Sequence, residues 1–389
     1  MSYNIHQQVF ALSIASNLLS TCKGTQEALQ NQIDSALQPA LTNANIGDWT
    51  VVWGPTVWKA EPDNAETAPD RVWYIAHNPS ANFGVDGSSF DTYVLAVAGT
   101  ARGSAENFAI DADVDKVVDF NAWVQAGITT PPEQATTIDH TKPYVASGTA
   151  IGISTLLTVA NAASQQTMAE FLGTIPPSSR LVFTGHSLGG ALSPTVALAL
   201  LKAGLLQNAP ENVFVYPTAG PSPGNEPFAA LFAGAFPLIT DGPAPYQMWN
   251  GNLANTYDIV PLAWDVDSLG TIPGLYGKLP LVLGAILGGI VSGAIDKATA
   301  SGLAYVPLQG QIFSTGGPAT PPKTLDEFLL LALQEHEGAY AALIGTAEIP
   351  PLCAPGSSTE QARGLPILGG LYQANVEVTE MVRLDNERK

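Results

Sequence analysis

Three runs in the first quarter of the chain, at 49–57, 72–76 and 92–98, are mostly apolar and are separated by turn-rich stretches such as 79–89. Runs of this length between Gly, Pro, Asn and Ser clusters predict strands. Ahead of them Ile5, Val9, Leu12 and Leu19 fall on one face at helical spacing, which predicts an amphipathic first helix. The apolar stretch 9–19 also resembles the hydrophobic part of a secretion leader. No Lys or Arg precedes it and Asn17 interrupts it, so a helix fits better. Residues 151–171 carry Ile153, Leu156, Leu157, Val159 and Ala160 with few charges and predict a buried helix, with Pro176-Pro177 breaking the connection after it.

The run 181–183 predicts a short buried strand, and 191–202 continues at helical spacing. Further strands are predicted at 213–216 and about 246–251. Segment 111–138 is acidic and contains Pro131-Pro132, so it is expected to be a surface excursion. Thr324-Leu325-Asp326-Glu327 has the pattern of a capped helix start, and 328–333 then leads to His336 and Tyr340. Past Pro350 the chain is loop-rich, with one candidate strand at 374–382.

Residues 279–295 are almost wholly apolar and include Gly284, Gly288, Gly289 and Gly293. The stretch is shorter than the roughly 20 residues a membrane-spanning helix needs. Its glycine spacing permits close helix contact. A buried cap helix is the expectation, with a membrane-facing or substrate-facing flap as the alternative.

Composition narrows the function. Of 389 residues, 34 are acidic and 15 basic, a net charge of −19, and no Lys/Arg-rich cluster occurs. That argues against nucleic-acid binding and against attachment to anionic lipid. The two cysteines, Cys22 and Cys353, match no metal-ligand spacing. Two buried thiols and one disulfide are equally compatible with their placement.

The chemistry gathers around Gly185-His186-Ser187-Leu188-Gly189. A strand before it and a helix after it form the context in which a G-x-S-x-G serine stands on a sharp turn with its Oγ exposed. The helix N-terminus behind Ser187 offers backbone N–H groups where an oxyanion would form. A serine nucleophile needs a base, most often histidine. The five histidines are His6, His77, His140, His186 and His336. His186 lies inside the elbow, and three others precede it, whereas this architecture runs Ser, then acid, then His. Only His336 qualifies. Asp258 is the favoured acid among several carboxylates, because it follows a predicted strand and precedes Ile259-Val260-Pro261. The strand ending in Gly99-Thr100 would supply a further oxyanion donor.

Four separated segments resemble the class 3, fungal-type triacylglycerol lipases. They are the Gly-His-Ser-Leu-Gly-Gly-Ala elbow, Thr218-Ala219-Gly220-Pro221 to Gly224-Asn225, Asn255-x-x-Asp258-x-Val260-Pro261, and His336 with Tyr340. The resemblance implies a triad of Ser187, Asp258 and His336, and an oxyanion hole of Thr100 and the Leu188 N–H. It also favours a Cys22–Cys353 disulfide, since some members tie their first helix to the C-terminal region. The chain departs from the family in having Ala98 in place of an arginine, Ala146-Ser147-Gly148-Thr149 in place of His-x-Gly-Phe, and a longer interval between acid and base.

The expectation is therefore one α/β-hydrolase domain over 1–389, with a central, mostly parallel sheet flanked by helices. Residues 103–118 and 265–305 are candidate lid or cap insertions. The expected reaction is hydrolysis of acylglycerol or other carboxylic esters, with no metal or cofactor. The expected partner is a lipid or ester substrate at an oil–water interface, with no nucleic acid and no stable transmembrane span. A soluble-ester carboxylesterase of feruloyl-esterase type, a phospholipase A1 and a non-catalytic lipid-binding protein are the alternatives. If 279–295 lines an acyl cleft, Leu283→Asp and Ile286→Asp are expected to lower long-chain activity selectively.

Overall fold

The computed structural model describes residues 3–83, 87–101, 104 and 113–354. The candidate strand at 374–382 and most of 103–118 lie outside them. The main sheet has seven strands, in the spatial order Thr50–Trp58, Arg71–Asn82, Ser89–Val97, Arg180–His186, Val213–Thr218, Asn252–Asn255 and Gly310–Phe313. The first three pair antiparallel. From Ser89–Val97 onward every neighbour is parallel.

The strand residues alternate between two cores, as a period of two requires. Tyr74, Ala76, Val182 and Tyr216 face a cluster built with helices Ile5–Ala15 and Gln26–Ala44. Trp73, Ile75, Leu181, Phe183 and Val215 face a second cluster, built with helices Ser147–Thr158, Leu188–Lys202 and Glu226–Ala235. This is a mostly parallel sheet with helices on both faces, the expected α/β-hydrolase class.

A third cluster stands over the C-terminal ends of the parallel strands. It joins Ile259, Val260, Ala263 and Trp264 of the loop after Asp258 to Leu283, Leu287 and Val291 of the cap and to Phe328 and Ala332. The apolar stretch at 279–295 and the loop after Asp258 therefore share one apolar core.

Several elements differ from the pattern-based expectation. The first helix stops at Ala15 and is buried on most sides, including Phe10, Ala11 and Ser13, so it is a core helix and not an amphipathic one. The helix expected over 151–171 is two helices, Ser147–Thr158 and Met168–Leu172, separated by an Asn161-centred turn whose side chain accepts from Ala163 N and Ser164 N. Segment 111–138 is not a plain excursion. Val117–Asp119 enters a four-stranded antiparallel sheet with Tyr144–Ala146, Gly224–Asn225 and Tyr305–Val306, and Phe120 and Trp123 are buried. Near 246–251 the short pair formed by Met248–Trp249 lies outside the main sheet, which is entered only at Asn252–Asn255.

The apolar stretch at 279–295 belongs to a 20-residue helix, Leu281–Ala300, with mean hydropathy 1.6 over its most apolar window. Among the described residues it is the one helix whose length and composition suffice to cross a membrane. Leu283, Leu287, Val291 and Ala298 bury one side. Leu281 and Val282 are 89% and 73% exposed on the other. It is thus half cap helix and half open apolar surface, between the two alternatives.

Cys22 and Cys353 form a disulfide across 331 residues of sequence. Around it Thr21 Oγ1 donates to Cys353 O at 2.7 Å and Leu352 N donates to Leu18 O at 2.8 Å.

Candidate active site

The strand Arg180–His186 runs straight into the turn at Ser187, whose φ of 62° and ψ of −127° suit few residues other than glycine. Such backbone costs about 1–3 kcal/mol and persists only where its surroundings enforce it. Here Ser187 N donates to Thr218 O at 3.0 Å, and Gly190 N donates back to Ser187 O at 2.8 Å. The flanking glycines permit the crossing. A Cβ on Gly185 would lie 2.2 Å from the Gly189 carbonyl oxygen, and one on Gly189 would lie 2.3 Å from that of Val97. The turn then opens the helix Leu188–Lys202, whose first N–H groups have no intrahelical partner by construction.

Opposite Ser187 lies the end of the Ser89–Val97 strand. A Cβ on Gly99 would meet the Ser187 Cβ at 3.1 Å and His186 O at 2.9 Å, so the backbone leading to Thr100 runs against the elbow. Thr100 itself is partly exposed and has bonding partners of its own.

Asp258 is wholly buried in the loop after Asn252–Asn255. Three donors converge on its carboxyl: His336 Nδ1 at 2.8 Å and Tyr340 Oη at 2.9 Å on Oδ2, and Val260 N at 3.0 Å on Oδ1. Since an ionised carboxylate only accepts, the proton between it and His336 sits on Nδ1, which leaves Nε2 as the acceptor nitrogen of a neutral ring. Tyr340 is fully buried, and its hydroxyl also accepts from Asn255 N at 2.9 Å. Burial first, then the Asp258 charge, pushes the Tyr340 pKa well above its ordinary range, so the phenol remains a donor.

His336 lies in a single π-helical turn, Gln334–Gly338, between helices Leu325–Leu333 and Ala339–Ile344. A π-turn inserts one residue into the helical register and re-aims the side chains beyond it. It is held by Glu335, whose backbone oxygen and carboxylate both accept from Asn255 Nδ2, at 3.0 and 2.7 Å, and which also accepts from Thr315 Oγ1 at 2.8 Å.

The structure thus brings His336 onto Asp258, and packs its ring against His186, the residue before Ser187, with centroids 4.7 Å apart. Burial pushes the His186 pKa well below its ordinary value, and repulsion from His336 adds to that. A neutral His186, held through Nδ1 by Thr218 Oγ1 at 2.9 Å, places no competing charge beside His336. His6, His77 and His140, set aside on chain order, have other surroundings. His6 is buried beside Trp249, and His77 pairs with Asp91 at 2.6 Å. Ser187 and His336 are 7% and 2% exposed, so the site is closed to bulk water.

Sequence reasoning missed Asn255 and Glu335, which tie the Asp258 loop to the helical segment that carries His336, and the packing role of His186. Asn255 lay inside a recognised motif, but nothing in its pattern announced a partner 80 residues away.

Residues 118–263 match the model of the lipase (class 3) family, a stretch that contains Ser187 and Asp258 and stops short of His336. The M37 lipase structure superposes with a TM-score of 0.65 at 23% identity, covering 94% of this chain and all of that one. Lipase II from Rhizopus niveus aligns with 67% of this chain and 76% of its own, at 16% identity and a TM-score of 0.39. No curated protein matches the chain. Residues 118–263 are thus similar to the class 3 lipases, on a chain that shares the overall α/β architecture of the M37 lipase.

Proposed function

We propose that the protein hydrolyses acylglycerol and related carboxylic esters through an acyl-enzyme on Ser187. His336 Nε2 takes the proton from Ser187 Oγ as the oxygen attacks the ester carbonyl carbon. The carbonyl oxygen becomes an oxyanion facing the Leu188 N–H and Thr100. Collapse expels the alcohol, which takes the proton from His336, and the acyl group remains on Oγ. Water then loses a proton to His336 and attacks the acyl carbon, releasing the acid and restoring the serine hydroxyl. Asp258 holds the imidazole in the required tautomer and stabilises its charged form.

The observation that carries this is the Asp258–His336 bond of 2.8 Å, with His336 packed on the residue before a strained Ser187. Ser187→Ala and His336→Ala are each expected to lower kcat by about 10⁴-fold or more. His77→Ala and His140→Ala serve as controls that retain activity. A fluorophosphonate that fails to label Ser187, or a His336→Ala variant of near-normal activity, would overturn the assignment. Rates on a p-nitrophenyl ester series from short to long acyl chains, with and without an oil interface, separate a lipase from a soluble-ester carboxylesterase. The M37 similarity, over nearly the whole of both chains, supports one α/β-hydrolase domain, and the packing of Leu283, Leu287 and Val291 with Ile259 and Val260 supports a cover formed by 265–305.

A further inference from the structure

The strand Ser89–Val97 delivers its backbone to the elbow, yet its ladder ends one residue short. Ala98 N still donates to Val72 O at 2.9 Å, in the manner of a strand. The next amide, Gly99 N, is taken by a side chain: it donates to Asn17 Oδ1 at 2.9 Å. Asn17 stands just past the first helix, 82 residues away in sequence. Its amide nitrogen donates to Ser13 O at 3.2 Å, which fixes which end of the amide faces Gly99.

Packing alone does not hold the Gly99 peptide. One side presses on the elbow, where even a Cβ would meet Ser187 Cβ at 3.1 Å. The other borders a small cavity lined by Ser16, Asn17, Asp70, Arg71 and Ala98. Loss of the acceptor at Oδ1 would leave the Gly99 N–H facing that cavity without its bond, and a shift there would be passed to Thr100, the next residue.

Asn17 is itself anchored to the part of the chain that carries the base. Gln7 Nε2 donates to Ile344 O at 2.7 Å and Thr346 Oγ1 donates to Gln7 O at 3.1 Å, immediately after the Ala339–Ile344 helix. Leu18, Thr21 and Cys22 are tied to Leu352 and Cys353. Residues 4–22 therefore span from the oxyanion side of the elbow to the helix that follows His336.

We propose that Asn17 is a positioning residue for the oxyanion hole, replacing the missing strand partner of Gly99 and so setting where Thr100 stands. The proposal rests on the assignment of Ser187 as nucleophile and Thr100 as oxyanion donor. A donor displaced by about 1 Å can cost on the order of 100-fold in rate, and a lost donor about 10²–10³-fold.

The test compares Asn17→Leu, which keeps the volume without the acceptor, with Asn17→Asp, which keeps the acceptor. Kinetics on a soluble p-nitrophenyl ester are measured beside the inhibition constant of a trifluoromethyl ketone, which forms a tetrahedral oxyanion on the serine, and beside thermal unfolding. Asn17→Leu is expected to lower kcat by about 10- to 100-fold with KM within about twofold, to weaken the ketone in parallel, and to unfold within a few degrees of wild type. Asn17→Asp is expected to recover about tenfold of that loss. An unchanged kcat in folded Asn17→Leu, a loss expressed in KM alone, or an equal loss in both variants would overturn the proposal. Should Asn17→Leu not fold, Asn17→Asp alone decides: kcat within about tenfold of wild type supports it, and a loss near 100-fold sinks it. Ser187→Ala runs alongside. If it stays active the nucleophile assignment fails, whereas a dead Ser187→Ala beside a fully active Asn17→Leu condemns only the role of Asn17.

Discussion

Asp258 collects three donors, and each can be removed separately. Tyr340 is the informative one, because its hydroxyl serves Asp258 and Asn255 N at once. Tyr340→Phe leaves a buried amide without an acceptor, at a cost of about 1–3 kcal/mol. We expect a lower melting temperature and roughly a tenfold lower kcat, since Asp258 then rests on His336 and Val260 alone. An unaltered kcat would mean that the acid is held without the phenol. Burial likewise sets the behaviour of His6, whose pKa is pushed down to about 3 from an ordinary 6.5. Its folded form stays neutral while the unfolded chain takes up a proton, so its contribution is intact above pH 6.5 and erodes as pH falls below that, by up to about 1.4 kcal/mol per unit. His6→Phe is expected to flatten the acid side of the curve of melting temperature against pH. A slope equal to wild type would contradict this.

At the scale of elements, the helix Leu281–Ala300 is where expectation and structure diverge most usefully. Leu283 is buried in the cap core at 4% exposure, so Leu283→Asp would test folding and not substrate handling. The exposed Leu281 and Val282 are the proper positions. Leu281→Asp and Val282→Asp are expected to unfold normally, to keep short-chain activity, and to lower long-chain rates at an oil interface several-fold. Equal loss on both substrates, or none on either, would make this helix plain scaffold.

The strand–turn–helix around Ser187 was legible because a fully apolar strand, an elbow of small residues and a helical period follow one another within about twenty positions. The third core was not legible. Its members, from Val114 to Ala332, meet only because loops return to one edge of the sheet. The segment 111–138 misled because acidic residues and prolines outnumber Val117, Phe120 and Trp123, which are buried. Asn252 and Asn255 carried turn signals into a genuine strand, because their side chains bond across loops: Asn252 to both the N–H and C=O of Gly220, Asn255 to Glu335. Chain order pointed to His336 among five, and the structure sets its ring on Asp258, but the π-turn that carries it has no sequence signature.

For the whole molecule, the Cys22–Cys353 bond closes a loop that contains Thr100, Ser187, Leu188, Asp258 and His336. Disulfides around long loops typically contribute about 2–5 kcal/mol. Cys22→Ser with Cys353→Ser is expected to lower the melting temperature by several degrees, with kcat reduced less than the stability suggests while the hydrogen bonds of residues 4–22 survive. An unchanged melting temperature would show that these bonds suffice.

The same closure has a consequence in time. Residue 22 is synthesised long before residue 353, a separation of 331 positions. At usual elongation rates of 5–20 residues per second, that interval is about 20–60 s. Throughout it the nascent chain holds the serine elbow, then the acid, then the base, but not the clasp that spans them. A chain cut short of residue 336 lacks the histidine that bonds Asp258 and is expected to be inactive, whereas the later bond to Cys353 is expected to add stability more than turnover.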